Sequence, residues 1–119
     1  MASRDVWSIC ESAWGETDTG LRAKILHETL DEAFVYSDPL IRTEGLDQLS
    51  DYIGQLQGAV PGMRILTTSF EHHHESCLIR WTMQDAHQKV LSHGVTCAEM
   101  GESGRLTKAA VFYALPAPA

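Results

Sequence analysis

Apolar residues recur with two different periods along this chain. In the first half the period is helical. Val6, Trp7, Cys10, Ala13 and Trp14 follow Asp5, a residue type suited to an N-cap, at the spacing of one helix face. Gly15 to Gly20 interrupts the pattern, and Asp18 or Thr19 can cap a second helix with the stripe Leu21, Ile25, Leu26, Leu30 and Ala33. A short extended piece, Phe34 to Ser37, meets Asp38-Pro39, and Pro39 forces Asp38 out of helical geometry. A third helix opens after Gly45 with Leu46, Leu49, Ile53 and Leu56 on its buried face, and Pro61-Gly62 ends it.

In the second half the period falls to that of strands. They are expected near Arg64–His73, Cys77–Asp85, Lys89–Met100 and Arg105–Ala114, joined by links short enough for hairpins. Helices followed by an antiparallel meander predict an α+β fold. If Asp85 pairs with Lys89, then Met83–Leu91, Trp81–His93, Ile79–Val95 and Cys77–Cys97 are partners and share one sheet face. Pairing Met100 with Arg105 adds Phe112 and Ala110 to that face. The opposite face carries Leu78, Arg80, Thr82, Ser92, Gly94, Thr96, Val111 and Tyr113. One face is thus apolar and aromatic, the other mixed. Either the mixed face lines a pocket under the helices and a second copy covers the apolar face, or the apolar face is the core and the mixed face is solvated.

Composition narrows the function classes. The 119 residues fit one domain, residues 1–119, able to bury a core without disulfide or metal staples. With 16 acidic residues against 9 basic ones the net charge is −7, which disfavours nucleic acid and anionic membrane as partners. No apolar run reaches bilayer length and no signal-peptide pattern follows Met1, so a cytoplasmic location is expected. Cys10, Cys77 and Cys97 are odd in number and lack C-x-x-C spacing. The tail Leu115–Ala119 is expected to fray.

The order of Trp14…Asp18, Tyr36-Ser37-Asp38-Pro39, Gly45, Pro61-Gly62, Arg80-Trp81, Gly94, Gly104-Arg105-Leu106 and Phe112-Tyr113 resembles the SnoaL-like and ketosteroid isomerase-like branch of the nuclear transport factor 2-like superfamily. The resemblance covers about residues 5 to 114. It implies a strongly curved antiparallel sheet wrapped around helices as an open cone, with an apolar interior for a small hydrophobic molecule. It implies a homodimer joined through the outer sheet face, here Ile79, Trp81, His93, Val95 and Phe112. Activities in such proteins include isomerases, cyclases, dehydratases and epoxide hydrolases, and many members have none known. No cofactor is implied.

In the isomerase-like pattern, the aspartate before proline is the general base, which is Asp38. Partial desolvation at the edge of an apolar cavity tunes a carboxylate for that task. The plainer reading of Asp38 is a turn opener. The same pattern places Thr96, Val111 and Tyr113 in the pocket, with Tyr52 facing it and Trp14 and Tyr36 adding aromatic walls or ordinary core. The pattern's helix-one tyrosine falls near Cys10 and its protonated aspartate at Thr96, so ketosteroid isomerase activity itself is not implied. Arg80, on the mixed face, either pairs in the cone with Asp38 or a ligand anion, or reaches solvent. Two of His72, His73 and His74 share a strand face, but spacing places no third ligand and no metal is expected. Three functions follow: an enzyme using Asp38, a binding module without chemistry, or a dimeric structural domain with a vestigial pocket.

Overall fold

The computed structural model describes residues 2–114; the expected fraying of Leu115–Ala119 lies outside the described residues. The elements are α1 (Ser3–Ser12), a 3-10 turn (Ala13–Gly15), α2 (Thr19–Thr29), β1 (Leu30–Ser37), β2 (Arg42–Glu44), α3 (Leu46–Ala59), β3 (Arg64–His73), β4 (Ser76–Gln84), β5 (Val90–Met100) and β6 (Leu106–Tyr113). The α+β class holds. Asp18 caps α2, its carboxylate accepting from the Leu21 N–H at 3.0 Å. Asp5 is not the cap of α1; it lies within the first turn, two residues past Ser3. Gly45, at φ 81°, supplies the left-handed backbone from which α3 starts.

The sheet has six strands in the order β2-β1-β6-β5-β4-β3 and is mixed rather than purely antiparallel. Its meander, β3 to β6, is the expected one. The second helix stops at Thr29 instead of running on to Ala33, because the following residues pair with β6 in parallel, Leu30 opposite Leu106 and Tyr36 opposite Ala109. β2 folds back antiparallel on β1.

The register of β4 on β5 departs from expectation by one residue. Asp85 does meet Lys89, its N–H donating to the Lys89 carbonyl at 3.0 Å, and Gln84 pairs with Val90. Leu91 is then an extra residue, since Met83 pairs with Ser92 and Trp81 with Gly94. One added residue turns all of β4 over relative to β5. Ile79 and Trp81, expected outside, are buried beneath the helices. Leu78, Arg80 and Thr82 move to the outer face with His93, Val95 and Cys97. Cys77 faces Ala98, so Cys77 and Cys97 are not opposed; Cys77 is buried and Cys97 exposed. The β5–β6 register is displaced by two residues, Val95 rather than His93 opposite Phe112, which preserves the faces. Thr96, Val111 and Tyr113 therefore look inward as expected. The outer surface keeps His93, Val95 and Phe112, the last 59 % exposed, but not Ile79 or Trp81.

One core joins the helices to the inner sheet face, with Leu26, Leu49, Ile53 and Ile79 fully buried. Among the described residues no helix is long and apolar enough to cross a membrane.

Candidate functional site

Between α1, α3 and the concave side of the sheet lies a cavity of about 90 Å³. Trp7, Cys10 and Glu11 of α1 form one wall, continued by Trp14 of the 3-10 turn. Phe34 and Tyr36 of β1 and Tyr52 of α3 form another. The sheet contributes Ile65, Trp81, Met83, Ser92, Thr96, Ala109, Val111 and Tyr113. Asp38 stands at the end of β1, in the cavity wall. Seven of the residues singled out from the sequence thus come together here: Asp38, Trp14, Tyr36, Tyr52, Thr96, Val111 and Tyr113. Arg80 does not. The extra residue in β5 puts it on the outer face opposite Val95, exposed.

Asp38 is held by local geometry. Its Oδ1 accepts from the N–H groups of Leu40 (2.8 Å) and Ile41 (3.1 Å), and its own N–H donates to the Ile41 carbonyl at 2.9 Å. That is the turn expected of Asp-Pro. Its Oδ2 turns inward and accepts from two phenols, Tyr36 at 2.8 Å and Tyr52 at 2.6 Å. Tyr36 and Asp38 are two residues apart and so project to the same side. Tyr52 lies three residues past Leu49 and four before Leu56, on the inward face of α3. Four donors on one carboxyl match an acceptor-only, ionised group.

The tyrosine hydroxyls take the imprint of that charge. Burial, then the charge and hydrogen bond of Asp38, push the Tyr36 hydroxyl well above the usual phenol range. Burial, then the hydrogen bond and charge of Asp38, do the same for Tyr52. Tyr113 is raised by burial and then by Asp38, and its hydroxyl lies within reach of Tyr52's. All three keep their protons at any ordinary pH.

A second carboxyl in the wall, Glu11, was not anticipated. The Trp7 indole donates to Thr67 Oγ1 at 2.9 Å, and the Thr67 hydroxyl donates to Glu11 Oε1 at 2.9 Å. Indole has no acceptor, so the direction of this relay is fixed. Burial raises the Glu11 carboxyl above its usual range, opposed by the Thr67 hydrogen bond. The signal was available: Glu11 is four residues past Trp7 and three before Trp14, on their helix face. Across the cavity the Trp81 indole donates to Thr96 Oγ1 at 2.9 Å, leaving the Thr96 proton uncommitted among the described residues. Cys10 is an inert thiol, pushed up to about 12 by burial. Among the described residues no three His, Cys, Asp or Glu side chains are placed to share a metal ion.

This architecture is the SnoaL-like, nuclear transport factor 2-like fold. A SnoaL-like family protein from Agrobacterium tumefaciens, proposed to be an isomerase, matches with TM-score 0.87 at 19 % identity, covering 94 % of this chain and 97 % of that one. A SnoaL-like protein of unknown function from Burkholderia thailandensis matches with TM-score 0.75 at 16 % identity over 95 % of each chain. A protein of ketosteroid isomerase-like fold from Catenulispora acidiphila, in complex with trimethylamine, matches with TM-score 0.76 at 13 % identity over 92 % of this chain and 85 % of that one. No family model and no curated protein matches the sequence. At these identities the likeness is one of fold.

Proposed function

We propose that the cavity receives a small, largely apolar molecule and that Asp38 acts on it as general base, in a reaction of isomerase, cyclase or hydrolase type. The observation that carries this reading is a carboxylate set in the wall of a cavity built mostly of aromatic and aliphatic side chains, its Oδ2 turned inward. A carbon acid, with its C–H beside a carbonyl, supplies the simplest chemistry. Tyr52's hydroxyl turns from Asp38 to the neighbouring Tyr113 and frees a lone pair of Oδ2. The proton passes from carbon to Asp38, and the C–H electron pair moves toward the carbonyl oxygen. That oxygen takes a hydrogen bond from the uncommitted Thr96 hydroxyl. Return of the proton to another carbon completes an isomerisation.

Solvent-deuterium exchange at the α-carbons of small ketones such as cyclohexanone, followed by NMR, tests this. The wild type should accelerate exchange, and Asp38→Asn should lose the acceleration by about a hundredfold or more while keeping its circular dichroism. Exchange that persists undiminished in Asp38→Asn would remove Asp38 as base.

One observation favours a binding module without chemistry: all four acceptor positions of the Asp38 carboxylate are already occupied. In that reading a ligand is retained and the ketones do not exchange. A vestigial, filled pocket is disfavoured, because Trp14, Tyr52 and Tyr113 border about 90 Å³ rather than closing it.

A further inference from the structure

We propose that the ligand of this cavity carries a compact, methylated ammonium group, held by the aromatic rings and by Asp38. The proposal rests on the cavity being a small-molecule site, and not on Asp38 being a base.

Charge is the first argument. Two carboxyl groups, Asp38 and Glu11, line the cavity, and no lysine, arginine or histidine does. An anion would meet two carboxyl groups and no basic side chain there. A neutral guest that filled the space would exclude solvent from around the Asp38 charge and supply no counter-charge, which is costly in a low-dielectric site. A cation supplies it. A cation also favours the ionised form of Glu11, which burial disfavours.

Aromatic content is the second. All three tryptophans and all three tyrosines of the chain line this one cavity. Tyr36 and Tyr52 have centroids 5.8 Å apart at 47°, Trp14 and Tyr36 6.3 Å at 42°, and Trp81 and Tyr113 6.3 Å at 67°. None of these pairs is stacked face to face. The negative face of an aromatic ring attracts a cation, and a surround of such rings suits onium groups.

Hydrogen-bond accounting selects the kind of cation. A primary ammonium brings three N–H donors that need acceptors. The Asp38 oxygens are already engaged by two backbone N–H groups and two phenols. A quaternary ammonium needs no acceptor and gives up little hydration on entry. A cavity of about 90 Å³ suits a compact head group and not a fused ring system.

Tryptophan fluorescence of the full chain tests this, since every tryptophan borders the cavity. The titrants are choline, its neutral carbon isostere 3,3-dimethylbutan-1-ol, and ethanolamine, near neutral pH. Choline should bind at least about tenfold more tightly than either of the others. Asp38→Asn should shrink the choline-to-isostere ratio several-fold, and Glu11→Gln should shrink it less. If the isostere binds as tightly as choline, the cation inference is overturned while the cavity remains a small-molecule site. A ratio unchanged by Asp38→Asn would overturn the part given to that carboxylate. If none of the three compounds alters the fluorescence, the cation inference is overturned, and the deuterium exchange of the ketones tests the small-molecule reading separately.

Discussion

Gly94→Ala should lose about 2–4 kcal/mol of stability, seen as a lower denaturation midpoint with an unchanged slope. Gly94 lies directly opposite Trp81 across the β4–β5 pair. The indole lies over it so closely that an added Cβ would sit 2.0 Å from Trp81 Cζ2 and 2.4 Å from Cη2. No rotamer adjustment of a few tenths of an ångström relieves that overlap. The ring must leave its place or the strands must part. Either movement breaks the Trp81–Thr96 hydrogen bond and pushes the indole into the cavity. The cost should therefore be coupled to the ring. In a Trp81→Leu background, Gly94→Ala should be much milder, a non-additivity that a double-mutant cycle reads directly. Equal cost in both backgrounds would mean that Trp81 does not rest on Gly94.

Arg22→Ala should cost a comparable amount, about 2–4 kcal/mol, for a different reason. Arg22 is only 4 % exposed, yet its partners are all neutral. Its Nε donates to Ser50 Oγ at 3.0 Å, and its Nη1 donates to the Glu16 carbonyl at 3.0 Å and to Gln57 Oε1 at 2.9 Å. This fork ties α2 to α3 and to the segment leaving the 3-10 turn. Truncation deserts three acceptors and removes the packing of the aliphatic stem. Arg22→Lys should recover only part, because an ammonium cannot reproduce the planar fork. Among the described residues the one ion pair is the exposed Arg42–Glu44 contact, so no carboxylate partners Arg22. The cost should accordingly be the same at low and high salt. A cost that falls markedly with added salt would reveal an ion pair and contradict this account.

Local chemistry was readable from the sequence, and non-local pairing much less so. Asp38-Pro39 announces its own turn, and Asp18 or Thr19 a cap, because both act within a few residues. The β4–β5 hairpin was placed correctly at Asp85 and Lys89. The faces failed one step later because Leu91, an ordinary strand residue, is the one left over between Gln84–Val90 and Met83–Ser92. Counting partners outward from a turn cannot detect an extra residue that carries no glycine or proline marker. β1 was read partly as helix because its strand character comes from parallel pairing to β6, about seventy residues away, rather than from Leu30–Ala33 themselves. Glu11 was overlooked because a charged residue on an apolar helix face reads as a solvated edge. The cavity instead needs it beside Thr67, a partner on β3. Trp81 is the instructive case. Expected on the outer surface from the family resemblance, it lines the cavity and is the residue that Gly94 accommodates.

The central claim is that the inner faces of β3 to β6 and the helices enclose an open, largely apolar cavity. Methyl NMR under xenon pressure tests it without any knowledge of the ligand, because xenon enters apolar voids. The account predicts saturable shifts of the methyl groups of Ile65, Met83, Ala109 and Val111, which line the cavity, and none at Val95 or Ala110 on the outer face. Shifts confined to Val95 and Ala110, or no saturable shift at the four lining residues, would contradict it.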